Sequence, residues 1–275
     1  MMTSGRQSET LRTFTRVICG VNGSPEAAEA VRQATMIAAP AAAVLLVAAI
    51  DPSHELWDAP RFEKLAVAAR VQERAEELLA RTQAAVESTG EIETQVVEGP
   101  PSDVLLSLIA PDSTCLLALG AAERQDRLAG ILLGSVVTRM LHSAPCSILV
   151  ARTPSEPQRF PRSVVVGVDG SPESAAAYAA AAQVAARLDA ELHPLVALGG
   201  KGADLESVQR IVSDRLFEVD KRSPADALSA ADADLLVVGS RGLHGLDAVG
   251  SVSERIAHQS RCSVLVVRPA SPPAD

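Results

Sequence analysis

The chain repeats itself, and the repeat constrains its fold more than any other feature. Arg16–Ala30 (RVICGVNGSPEAAEA) and Ser163–Ala177 (SVVVGVDGSPESAAA) agree at nine of fifteen positions, at an offset of 147. Gly134–Arg152 (GSVVTRMLHSAPCSILVAR) and Gly250–Arg268 (GSVSERIAHQSRCSVLVVR) agree at ten of nineteen, at an offset of 116. The order of the matches is kept while the offset shrinks by 31, so the 275 residues are two copies of one unit. The second copy is shorter by about thirty residues. Residues 14–152 form the first unit and residues 163–269 the second. Residues 153–162 (TPSEPQRFPR) join them, and three prolines in ten residues predict a stiff, extended linker.

Within each unit, short β-prone apolar runs alternate with helical patterns. In the first copy, the run from Arg16 is broken by Asn22-Gly23-Ser24-Pro25. There Ser24 can cap a helix with Pro25 at its first position. Ala43–Ile50 reads as a second strand, and residues 61–88 as a charged amphipathic helix. Three further strands are predicted near residues 92, 115 and 147, with helices between them. Alternation of this kind predicts a doubly wound parallel α/β sheet, five strands per copy. Strands as apolar as LLALG and LLVVG fit burial on both faces. The second copy keeps its first two strands but has only a short helix, near 204–213, where the first has a loop and a long helix. Pro194 falls inside its second strand, where a missing ladder donor predicts an irregular strand.

Composition narrows the function classes. Six aromatics and a net charge of −9 argue against a nucleic-acid surface built on base stacking and phosphate contacts. The longest apolar run, residues 37–50, has fourteen residues and contains Pro40, too short to span a bilayer. The first sixteen residues are polar and show no secretory pattern, so a cytoplasmic location is expected. The four cysteines form no CxxC and read as buried thiols. The five histidines share no metal-ligand spacing, so no metal is expected.

In open α/β sheets, ligands sit beyond the carboxyl ends of the strands. Two loops of the second copy hold that position. One follows the first strand and carries Asp169. The other follows the fourth strand, with Gly239, Arg241 and Gly242, then Gly250-Ser251 opening the last helix. Glycines let successive N–H groups converge on one anion, and a helix N-terminus favours phosphate. Asp169 can accept from ribose hydroxyls, or can simply support the helix that follows. Arg241 can reach a phosphate, or be solvated. Ser24 and Ser171 read as helix caps rather than nucleophiles, and His142 and His258, late in the last helices, as packing groups.

The motifs VVVGVDGSPES, LLVVGSRG and GSVSERI…CSVLVVRP together resemble the universal stress protein family, in tandem over nearly the whole chain. The resemblance implies two Rossmann-like, adenine nucleotide alpha hydrolase-like domains. It implies a regulatory stress-response role rather than turnover, with slow ATP hydrolysis at most. It also implies pairing through last strands, within the chain and in a homodimer, with a protein partner that the sequence does not name. Neither nucleic acid nor membrane is implied as a partner. Many members bind ATP through a G-x2-G-x9-G-[S/T] loop. Carried over to this chain, the nucleotide-binding residues are Asp169, Ala197, Gly239, Arg241, Gly242, Gly250, Ser251 and Val252. Two departures stand out. The second copy has seven residues between Gly242 and Gly250 instead of nine. The first has Asn22 for the aspartate and Glu123 for the second glycine, which places a carboxylate against phosphate oxygens. Adenine nucleotide in the second copy is therefore the leading expectation, and a nucleotide-free pairing scaffold the alternative.

Overall fold

A computed structural model of the chain describes residues 14–51, 64–86, 90–109, 112, 114–121, 133–199, 203–240 and 252–269. In the first copy the elements are β1 (Arg16–Gly20), α1 (Pro25–Ile37), β2 (Ala43–Ile50), α2 (Lys64–Ala84), β3 (Ile92–Glu98), α3 (Pro101–Leu108), β4 (Cys115–Gly120), α4 (Ser135–Ser143) and β5 (Ser147–Ala151). The second copy has β6 (Ser163–Gly167), α5 (Pro172–Leu188), β7 (Glu191–Ala197), α6 (Leu205–Val212), β8 (Glu218–Asp220), α7 (Pro224–Ser229), β9 (Leu235–Gly239), α8 (Val252–Gln259) and β10 (Ser263–Val267). Each copy is the expected doubly wound five-stranded unit. The shortening falls where the repeat offset placed it: α2 has 21 residues and its counterpart α6 has eight.

The ten strands form one sheet in the order β3-β2-β1-β4-β5-β10-β9-β6-β7-β8. Pairings within each copy are parallel, and β5 and β10 join antiparallel, with Leu149 opposite Leu265. The two copies thus pair within the chain through their last strands, related by a local two-fold. Both strands are wholly buried, which removes two apolar edges that would otherwise template aggregation.

Alternation along each strand splits the core into two layers that run through both copies. Val17, Cys19, Leu149, Val164 and Leu265 face α1, α2, α5 and α6. Ile18, Ile148, Val150, Val165 and Val264 face α3, α4, α7 and α8. The alanines serve this packing: Ala177, Ala181 and Ala185 bring α5 close against the sheet.

Two arginines lock the copies together. Arg152, just past β5, is 3% exposed and donates to the carbonyls of Ala257 (2.7 Å) and Cys262 (3.1 Å) at the end of α8. Arg268, just past β10, is 5% exposed and donates to the Leu141 carbonyl (2.5 Å) near the end of α4. The backbone N–H of each arginine donates to a serine hydroxyl of the other copy: Arg152 to Ser263 (3.0 Å) and Arg268 to Ser147 (3.1 Å). Each cation sits where the carbonyls of a helix C-terminus favour positive charge.

Two expectations need correction. The linker is not simply extended: Pro157–Arg159 form a single 3-10 turn, and Phe160 is buried against the first core layer, with Arg32 of α1 5.6 Å above its ring. Pro194 does not interrupt β7 either. Backbone groups of alternate residues face alternate neighbours: Leu195 accepts from Val168 on the β6 side (3.0 Å), and Leu198 donates to Asp220 on the β8 side (2.8 Å). Pro194 therefore turns its missing donor towards β8, which pairs only with Leu195–Ala197. A proline is tolerated there because the edge strand stops short of it.

Candidate functional site

The second copy has its topological switch point between β6 and β9. The chain runs outward from β6 to β7 and β8, then returns to β9 and β10 on the other side. At the carboxyl ends of these adjacent strands stand Asp169, two residues past β6, Ala197, the last residue of β7, and Gly239, the last of β9. Val252 opens α8 at the same end of the sheet. Arg241, Gly242, Gly250 and Ser251, and Glu123 of the first copy, lie outside the described residues.

Asp169 Oδ1 accepts from the backbone N–H of Ser171 (3.0 Å) and from its hydroxyl (2.5 Å). The Ser171 oxygen in turn caps α5 by accepting from Ser174 N–H (3.2 Å). Asn22 builds the same turn in the first copy, accepting from Ser24 N–H (3.0 Å), and Ser24 caps α1 through Ala27 N–H (3.1 Å). Gly23 and Gly170 hold positive φ (82° and 91°) in the two turns, which explains why glycine follows Asn22 and Asp169. Supporting the helix is therefore common to both copies.

Gly239 has a packing reason that sequence reasoning missed. A Cβ placed on it would lie 2.5 Å from the carbonyl oxygen of Glu173, and one on Gly120 2.4 Å from the carbonyl carbon of Glu26. In both copies the first turn of the first helix crosses directly over the end of the fourth strand. The first glycine of the loop motif is thus demanded by close approach, even in the copy that has Glu123 in place of the second glycine.

The shortened segment reshapes this end of the second copy. Asp204 caps α6 by accepting from the N–H groups of Glu206 (3.2 Å) and Ser207 (3.3 Å). Its own N–H donates to the Asp169 carbonyl (3.1 Å). The Ser207 hydroxyl, and then the Ser207 N–H, hold the Asp204 carboxyl below the usual carboxylate range. The start of α6 is therefore pinned to the tip of β6, whereas among the described residues a Cβ on Gly23 in the first copy would meet the side chain of Leu78. Beside β7, the Arg222 guanidinium pairs with Asp220 (2.6 Å), and the Arg222 carbonyl accepts from Gly199 N–H (2.9 Å). That pairing holds the Asp220 carboxyl below its usual range and pushes the Arg222 guanidinium up. Leu198, Leu205 and Val252, each at this end of the sheet, are 39%, 47% and 46% exposed. The one sequence signal for this rearrangement was the shrinking repeat offset, which located the deletion but not the contact it creates.

The arrangement offers apolar side chains, a carboxylate and the start of α8, a donor set suited to a ring, a sugar and an anion. Among the described residues, no group of three or more His, Cys, Asp or Glu side chains could hold a metal ion. No described helix is long and apolar enough to cross a membrane. His142 and His258 meet on one carboxylate between the copies: Glu254 lies 3.0 Å from His142 and 3.9 Å from His258. The two described surface cavities, of about 610 and 690 Å3, lie against the linker at the amino-terminal ends of the strands. Arg162, which lines both, is engaged with Glu156 (2.7 Å) and Asp234 (3.2 Å).

The description "Universal stress protein family" matches residues 13–152 and 207–268, most of both copies. The chain belongs to the universal stress protein family. A universal stress protein of Mycobacterium tuberculosis is 33% identical over 184 residues, 56% of this chain and 61% of that protein. The chain thus spans about six-tenths of that relative's length. A universal stress protein of Mycolicibacterium smegmatis is 28% identical over 285 residues, covering 92% of this chain and 97% of the relative. The crystal structure of a universal stress protein from Archaeoglobus fulgidus superposes with a TM-score of 0.70 at 19% identity, over 94% of this chain and 98% of that one. That likeness bears on the fold alone.

Proposed function

We propose that this tandem universal stress protein is a cytoplasmic regulatory module, and that its second copy binds an adenine nucleotide. The observation that carries the reading is the placement of Asp169, Ala197 and Gly239 on neighbouring strand ends at a switch point, with α8 opening beside them. Asp169 would accept from the sugar, Ala197 would line the base, and Gly239, Arg241 and Gly242 with Gly250, Ser251 and Val252 would surround the phosphates. Leu198 and Leu205 add apolar surface for a ring. The first copy has Asn22 and Glu123 at the corresponding positions, which supports a single site per chain. Among the described residues, no group of three or more His, Cys, Asp or Glu side chains could hold a metal ion, and the role proposed is binding rather than turnover. A nucleotide that binds one state of the fourth-strand loop better than another shifts that surface towards a protein partner, by no more than its differential affinity.

The pure scaffold reading is favoured by one observation: the β5–β10 pairing and its two buried arginines unite the copies directly. The test separating the two is release of small molecules from purified full-length protein, followed by mass detection of ATP, ADP or AMP, with thermal unfolding at millimolar ATP alongside. Bound nucleotide or a raised melting temperature is expected. Absence of both overturns the binding reading and leaves the scaffold.

A further inference from the structure

Copy one holds two thiols that nothing in the nucleotide reading uses. The register pairs Leu116 of β4 with Ser147 of β5, which brings Cys115 and Cys146 side by side one residue earlier, at the amino-terminal ends of adjacent parallel strands. Both belong to the same core layer, with Leu117 and Ile148, so both side chains project from the same face. Neighbouring strands run about 4.8 Å apart, within the roughly 4.4–6.8 Å between Cα atoms that a disulfide spans. Their shared register and face put the Cys146 thiol in reach of Cys115, towards which it can donate.

We propose that Cys115 and Cys146 are a redox site, converted by hydrogen peroxide into a cross-strand disulfide. Cys115 is the nucleophile. The bond from Cys146 outweighs burial and holds the Cys115 thiol below its usual range, while donating that bond, together with burial, pushes Cys146 up. The Cys115 thiolate attacks one peroxide oxygen, the O–O bond breaks, and hydroxide departs, leaving a sulfenic acid. The Cys146 sulfur then attacks the sulfenic sulfur. The S–S bond forms, the S–O bond breaks, and the oxygen leaves as water with the Cys146 proton. Each sulfur loses one electron and peroxide gains two. Both thiols are fully buried, so oxidation follows opening of the strand ends.

The other two cysteines lack these features. Cys19 is alone in the opposite core layer, and burial pushes its thiol up to about 12. At the position equivalent to the pair, the second copy has Asp234 beside Cys262, because Leu235 pairs with Ser263 as Leu116 pairs with Ser147. Redox sensitivity thus belongs to copy one alone. It also touches the join between the copies, since the Arg268 guanidinium interacts electrostatically with Cys146 and donates to Leu141.

The test treats native full-length protein with hydrogen peroxide, alkylates residual thiols after unfolding, and maps peptides without reduction. One linked pair, Cys115–Cys146, is expected, reversed by dithiothreitol, with Cys19 and Cys262 alkylated. It should be lost in Cys115→Ser and in Cys146→Ser. Should either variant fail to fold, the Cys19→Ser/Cys262→Ser double variant retains only the pair and must still form the bridge. Four free thiols after native oxidation, or a bridge through Cys19 or Cys262, overturns the proposal.

Discussion

Replacing Arg152 with alanine should weaken the union of the two copies measurably. Its guanidinium is 3% exposed and makes bonds of 2.7 and 3.1 Å to carbonyls of the second copy. Hydrogen bonds from a charged donor contribute about 1.5–3 kcal/mol each, so the two together are worth about 3–6 kcal/mol. Truncation also relieves the desolvation of a buried cation, which offsets part of that loss. A net destabilisation of about 3 kcal/mol remains, since the carbonyl of the fully buried Ala257 is left without this donor. For a chain of this size each kcal/mol moves the melting temperature by about 2–4 °C, so a drop of about 6–12 °C is expected. Calorimetry of the full-length variant reads it directly. Arg159→Ala is the control, because its side chain is 73% exposed and its ion pair with Glu156 is long, at 3.8 Å. A drop of less than about 2 °C for Arg152→Ala, or equal drops for the two variants, would refute the arginine lock.

Three further outcomes follow from the geometry. Gly239→Ala and Gly120→Ala should each cost about 1–3 kcal/mol in urea unfolding, because the new Cβ meets helix backbone in both copies; unchanged stability in both variants would refute the packing role. Ser24→Ala should cost about 1 kcal/mol through loss of an N-cap, and Ser171→Ala more in the same unfolding assay, because its hydroxyl also donates to Asp169. Burial pushes the Asp234 carboxyl up, but the side-chain and backbone bonds from Arg162 outweigh it and hold the carboxyl low. Its stabilisation is therefore present above about pH 4 and lost as pH falls through the depressed value, so Asp234→Asn should flatten that acid limb of a stability–pH profile.

Much of the architecture was legible because the repeat fixed it twice. The turn at Asn22 and the turn at Asp169 carry the same Gly-Ser-Pro sequence, and each yields the same capped helix. The wholly apolar strands predicted burial on both faces, which the two core layers bear out. Side-chain identity alone did not disclose the linker's seat, because Phe160 reaches its contact only once α1 and the linker are placed together. Pro194 misled for a similar reason: a missing donor matters only on the side where a partner strand exists, and the length of β8 decides that. At the site, spacing identified the strand ends but not the pinning of α6 to β6. That contact depends on how the chain closes after a deletion, which the offset of the repeat does not encode.

The central claim is one adenine-nucleotide site per chain, in the second copy. Calorimetric titration of ATP into full-length protein, beside the Gly250→Asp variant, tests it most directly. One site per chain, abolished by the substitution, is the predicted result. No binding, two sites per chain, or a site unchanged in the variant would contradict it.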